Sequence, residues 1–167
     1  GYDYNLVFVD DGSKDSSAFI LKQLVEEDEH VEAYLLSRNY GHQMALTCGL
    51  DNADGDAVIT MDGYLQHPPE LLPELIRLWE EGSEIVMTKR LATEDAGFLK
   101  NITSSCYYKL INIMSKVEIT PGGSDFRLMD KKAVEAFRLY RERERFIRGM
   151  VSTLGFNVSV EIGRAHV

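Results

Sequence analysis

Four short runs rich in β-branched and aromatic residues, at 5–9, 31–37, 57–61 and 84–88, alternate with three stretches of helical period. No other feature narrows the fold as much. A buried parallel strand reads as a continuous apolar run and needs a crossover helix before the next strand. The βαβα order therefore predicts an α/β fold, a mostly parallel Rossmann-like sheet with helices on both faces. The helical stretches are 16–27, with Phe19, Ile20, Leu24 and Val25; 42–52, with Met44, Ala45 and Leu50; and 69–81, with Leu71, Leu72, Leu75, Ile76 and Trp79. Pro69 suits a first helical turn and Gly82 a helix stop. Beyond 88 the alternation breaks down. A helix over about 99–114 leads to "TPGGSDFRLMD", then to an Arg-rich segment and a last helix over 146–154.

Ligands of such sheets lie at the carboxyl ends of the strands. Asp10 and Asp11 follow the first run and Asp62 the third, so three carboxylates are expected at one edge. Unshielded, they repel by on the order of 1 kcal/mol per pair, which calls for a cation or hydrogen-bond donors. One of the two adjacent aspartates is expected merely to cap the turn "DDGSKDSS". His42 and His67 have no ligand spacing and read as loop residues, not metal ligands. Trp79 reads as core, and Tyr107 and Tyr108 as packing residues.

At 167 residues, 44% hydrophobic and 27% charged, the chain has the makings of one core and one domain. No stretch approaches the roughly 18 to 20 apolar residues of a membrane span, and no signal peptide is recognisable. Cys48 and Cys106 lack metal or redox spacing and read as reduced packing residues. The net charge of −9 is unevenly spread: residues 1–86 carry 4 Lys/Arg against 18 Asp/Glu, and residues 87–167 carry 14 against 9. An acidic half suits a cation and a basic half suits phosphate or an anionic membrane surface, although ordinary solvated faces account for the same asymmetry. With a pI near 4.9 and no interleaved basic and aromatic surface, nucleic acid is not an expected partner. The first residue is not Met and a core strand follows almost at once, so a preceding strand is expected. Residues 162–167, "IGRAHV", read as the translation of a sequencing adapter, which confines the expected domain to 1–161 and sets Arg164 and His166 aside.

Two patterns compete for the acidic edge. Phospho-receiver domains place an acidic pair after strand one, an Asp after strand three, a Thr after strand four and a later Lys. Asp10, Asp11, Asp62, Thr88 and Lys100 or Lys109 follow that order, but it leaves "SRNYGHQMALTCGLDNADGD", "LQHPPE" and "GGSDFRLMD" unexplained. Those segments, with "VDDGSKDSS", "MDGYLQHPPELLPELI" and "RFIRGMVSTLGF", resemble the inverting family 2 glycosyltransferases that act on polyprenyl phosphates. This is the dolichol-phosphate mannose synthase and bactoprenol glucosyltransferase group. The likeness runs in order from about residue 6 to 156, and five linked motifs are far more specific than one. It implies a GT-A nucleotide-sugar-binding fold whose opening strand, bearing a "VPVYNE"-like motif, is missing here.

The resemblance also implies roles. Asp11, or its neighbour Asp10, matches the carboxylate that binds the base or ribose of a nucleotide sugar. Asp62 opens a D-x-D-x-Q element in which it and Gln66 face a Mg2+ or Mn2+ ion bridging the donor diphosphate, a role suited to oxygen ligands. Family members place a second Asp where this chain has Tyr64. Arg90 and Arg148 match basic residues near the donor phosphates. Lys100 and Ser104, four residues apart on one helix, would clasp the acceptor phosphate, which Arg127 could also reach unless it makes an ion pair at the sheet edge. Asp125 matches the carboxylate at the reaction centre, orienting groups rather than removing a proton, because a phosphate nucleophile is already ionised at neutral pH. Arg141, Arg143 and Arg145 alternate with glutamates as a solvated or membrane-facing stripe. The implied reaction moves a hexose from a UDP- or GDP-linked donor to a polyprenyl phosphate lipid, with inversion. Its implied place is the cytoplasmic face of the membrane, the full protein continuing into C-terminal membrane helices. A GT-A transferase with another acceptor and an inactive GT-A-like binding domain are the alternatives within the fold.

Overall fold

The run LVFVD forms strand β1 (Leu6–Asp10), and VEAYL forms β2 (Val31–Leu35) parallel to it, with Leu6 opposite Val31 and Asp10 opposite Leu35. Helix α1 (Ser17–Glu27) makes the crossover between them. Helix α2 (His42–Asn52) leads to β3 (Ala57–Thr60), and a 3-10 turn at Pro69–Leu71 runs into α3 (Leu72–Glu80) and β4 (Ile85–Arg90). Then come β5 (Gly123–Asp130), α4 (Lys131–Arg138), α5 (Ile147–Thr153) and β6 (Val158–Gly163). This computed structural model describes residues 1–64, 67–90, 123–140, 142 and 146–163. The expected helix over 99–114 and residues Gln66, Lys100, Ser104, Cys106, Tyr107, Tyr108, Lys109, Arg141, Arg143 and Arg145 lie outside the described residues.

Strands β1 and β2 form one sheet, and the order β3-β5-β4-β6 forms a second. The parallel expectation holds for β1 with β2 and for β4 with β6, but β5 enters antiparallel to both β3 and β4. Ala57 faces Asp130, and Ile85 faces Met129. The reason lies in the two faces of β5, because alternate residues of a strand point to opposite sides. Phe126 and Leu128 join Leu75 and Val86 in a core cluster beneath α3, while Met129 joins Ile85, Met87 and Leu50 in a second cluster beneath α2, α4 and α5. A strand apolar on both sides belongs in the middle of a sheet. Its Asp125 and Arg127 share the Met129 side, so the charged pair arrives at the site by the same alternation.

Helices therefore cover both faces of the larger sheet. Asp130 caps α4 by accepting from Lys132 N at 2.9 Å, and its other oxygen accepts from Trp79 Nε1 at 2.9 Å. Arg138 closes the end of α2, donating to Leu50 O at 2.9 and 2.7 Å and to Ala53 O. The smaller sheet is less covered: α1 has no buried residue, and Phe19, Ile20, Leu6 and Phe8 are exposed. The second edges of β1 and β3 carry no partner strand among the described residues. They border one cavity of about 830 Å³, floored by Leu46, Gly49 and Leu50 of α2.

Candidate active site

The cavity runs along β1 and β3, and at their carboxyl ends Asp10, Asp11, His42, Asp62 and Tyr64 line it. The adjacent aspartates divide their work. Asp10 caps its own turn, accepting from Ser13 N at 3.1 Å. Asp11 reaches across to the entry of α2, its two oxygens accepting from Tyr40 N at 2.7 Å and Gly41 N at 2.9 Å. Gly12 makes that approach possible: its φ is +69°, and a Cβ there would sit 2.4 Å from the carbonyl carbon of Arg38.

Asp62 follows β3 and Asp125 lies on β5, and His42, the first residue of α2, stands between them. Its Nε2 is 3.5 Å from Asp62 Oδ1 and 3.2 Å from Asp125 Oδ2. Arg148 on α5 forks onto Asp125, Nε to Oδ1 at 3.0 Å and NH2 to Oδ2 at 2.7 Å. Arg127 NH2 adds a third cationic bond at 2.6 Å. Helix α5 is held there by Ile147 N, which donates to Gln43 Oε1 on α2 at 3.1 Å. Thr60 Oγ1 donates to the Asp125 carbonyl at 2.5 Å, tying β3 to β5 beside the carboxylates.

The two arginines differ in exposure. Arg148 keeps 41% of its side chain in solvent, whereas Arg127 keeps 1%. Arg127 NH2 also donates to Ser124 O at 3.3 Å, while NH1 is buried without a hydrogen-bond partner among the described residues. Of the two readings open to Arg127 from the sequence, the ion pair is what the geometry contains. Burial by itself pushes the Asp125 carboxyl up. The Arg148 hydrogen bond, the charges of Arg127 and Arg148 and the His42 hydrogen bond outweigh it and hold the group below its ordinary value. Burial likewise pushes Arg127 down, against the pull of Asp125. A carboxylate so held is a weak proton acceptor and a firm anchor for neighbouring donors.

Sequence reasoning set His42 and His67 aside, and both belong to the network. Asp62 N donates to His67 Nδ1 at 3.1 Å, and Ser124 Oγ lies 2.8 Å from His67 Nε2. A signal for His42 was present: a titratable residue at the start of a βα helix faces the ligand edge of the sheet. Nothing in the spacing marked His67. Arg90 ends β4, but its side chain falls outside the described part, as do Gln66, Lys100 and Ser104. Tyr64 is 74% exposed. Thr88, the residue of a receiver-like pattern, is buried and donates Oγ1 to Phe126 O at 2.7 Å. Receiver domains set β3 beside β4, and here β5 separates them.

The family described as "Glycosyl transferase family 2" matches residues 1–138. An uncharacterized glycosyltransferase, YkcC, of Bacillus subtilis is 42% identical over 92% of this chain and 47% of its own length. The bactoprenol glucosyl transferase of Shigella phage SfV is 40% identical over 95% of this chain and 52% of its own length. The chain thus spans about half the length of the curated relatives it matches. In fold it is similar to Staphylococcus aureus TarS 1–349, solved in complex with UDP, at a TM-score of 0.53 and 15% identity over 96% of this chain and 51% of that one.

Proposed function

Because the chain belongs to glycosyl transferase family 2, we propose that it transfers a hexose from a nucleotide sugar to a polyprenyl phosphate, with inversion at the anomeric carbon. The observation that carries this reading is the meeting of Asp125 with His42 and Asp62, two residues that line the cavity, with the half-exposed Arg148 beside them. The name of the bactoprenol glucosyl transferase relative supports the lipid acceptor. An acceptor phosphate oxygen attacks the anomeric carbon from the side opposite the diphosphate. The bond from that carbon to the diphosphate oxygen breaks, and the nucleoside diphosphate leaves. No proton need be removed, since a phosphate monoester with a second pKa of about 6 is already ionised at neutral pH. That requirement suits Asp125, whose oxygens are occupied by donors.

Arg148 is the cation placed to meet the donor diphosphate, swinging its exposed fork from Asp125 while Arg127 stays as the carboxylate's buried partner. Asp10 and Asp11, at the β1 end of the cavity, face the nucleoside. Lys100 and Ser104 remain the proposed acceptor clasp, with Arg127 supporting it through Asp125. Asp62 fits a hard divalent ion, being an oxygen donor with no guanidinium bonded to it among the described residues, and Gln66 would share that ion. A Mg2+ or Mn2+ ion held there by Asp62 and Gln66 would supply positive charge to neutralise the departing diphosphate. No helix among the described residues is long and apolar enough to cross a membrane, and the proposed lipid acceptor puts the domain at the cytoplasmic membrane face.

The test is transfer of radiolabel from UDP- and GDP-hexoses, with Mn2+ or Mg2+, into polyprenyl phosphate carried in detergent micelles. Label in the organic phase that mild acid releases is the expected result. Label recovered only as free sugar, or only on a non-lipid acceptor, overturns the lipid reading.

A further inference from the structure

His67 is more deeply placed than the carboxylate it serves. The residue is 5% exposed, and its ring stacks on Phe126 with centroids 5.1 Å apart and planes 18° from parallel. Both ring nitrogens are engaged. Asp62 N lies 3.1 Å from Nδ1, and a backbone N–H can only donate, so Nδ1 presents its lone pair. In the neutral ring the proton then sits on Nε2, which is 2.8 Å from Ser124 Oγ and 3.6 Å from Asp62 Oδ2. Ser124 Oγ accepts as well from Phe126 N at 3.2 Å. A proton on Nδ1 would set two N–H groups against each other in a buried place. The ring therefore links the second residue of the loop after β3 to the start of β5, immediately before Asp125.

We propose that His67, as the neutral tautomer with its proton on Nε2, is a positioning residue that pins the Asp62 main chain to β5 and so fixes the Asp62 carboxylate opposite His42 and Asp125. The consequence for ligand binding rests on the donor-site reading above, whereas the pinning itself does not. With both nitrogens committed inside the protein, His67 acts through Asp62 and not as a ligand of its own. The loop 62–64 otherwise carries Gly63 and the exposed Tyr64, and neither would hold Asp62 in register.

The test uses the chain as it stands. Long-range 15N–1H spectra of the imidazoles at pH 7.5 are expected to show Nε2 protonated and Nδ1 bare for His67; a proton on Nδ1 overturns the proposal. His67→Ala should speed hydrogen exchange of the Asp62 amide by about 10-fold or more and weaken UDP binding in the presence of Mn2+ by about 10-fold. His67→Asn, whose side-chain oxygen takes the place of Nδ1, should keep the Asp62 amide protected and recover most of the affinity. Equal protection of that amide in the parent and His67→Ala overturns the pinning. A parent that binds no UDP, with or without Mn2+, sinks the donor-site reading, and the tautomer and amide exchange still decide the role of His67.

Discussion

Asp125 accepts from Arg127, Arg148 and His42 at once, and this saturation governs how the site responds to substitution. Asp125→Asn leaves the guanidinium of Arg127 buried without its counter-charge, a change that costs about 3–5 kcal/mol in comparable pairs. Urea unfolding should show that loss, whereas Arg148→Ala, at a half-exposed position, should change stability far less. The depressed carboxyl also fixes a pH dependence. A group whose folded pKa lies below its unfolded value, about 3.9 for Asp, contributes stability that is fully present above that value and is lost as pH falls through the folded pKa. Urea midpoints should therefore drop below about pH 4, and less steeply in Asp125→Asn. At Tyr64 a phenol oxygen is a poor partner for a hard cation, which prefers carboxylate ligands. Tyr64→Asp should tighten Mn2+ binding in the presence of UDP by about 10-fold or more in calorimetry; equal affinity in both forms places the ion elsewhere. Asp10, Asp11, Asp62 and Asp125 were legible because strand ends and motif order mark them. Arg127 was legible only as two alternatives, since sequence does not say whether a charged residue of a strand faces a partner or a ligand.

Among the elements, the α2 stretch 42–52 was read directly from its apolar spacing, and the strands before it within a residue or two. The α3 segment differs at its start, where Pro68 and Pro69 favour a 3-10 turn before Leu72–Glu80 continues as α-helix. Strand β5 escaped the sequence reading. Its Gly-Gly-Ser-Asp opening has turn chemistry, and Asp125 and Arg127 break the apolar run that signals a buried strand. The loop after β1 was legible in its turn residues but not in its reach. Gly12 combines φ of +69° with backbone contact to Arg38, so both conformation and space forbid a side chain. Gly12→Ala should destabilise the chain by more than about 1 kcal/mol and loosen the Asp11 bonds to Tyr40 and Gly41. Thermal unfolding reads the first effect, and faster amide exchange at Tyr40 and Gly41 reads the second.

For the molecule as a whole, alternation was enough to give an α/β domain with helices on both faces, and motif order was enough to give its family. What alternation could not give was strand order, because which strand stands beside which depends on partners distant in the chain. The placement of β5 is the clearest instance: β3 and β4 precede it, yet neither meets the other, and both dock on it. During synthesis the first four strands emerge with the middle of the larger sheet still missing. Ile59, Val86 and the inner face of α3 then wait for Phe126 and Leu128. Loop closure over such separations is slow, so the last-made piece of that cluster is also the one that sets the pace. Leu128→Ala, which opens a cavity at a fully buried position, should cost about 2–5 kcal/mol, most of it appearing as slower refolding and the smaller part as faster unfolding. Stopped-flow refolding from urea measures that division. A nascent chain paused before residue 123 should bind hydrophobic dyes and holdase chaperones, and bind them less once residue 130 has cleared the ribosome.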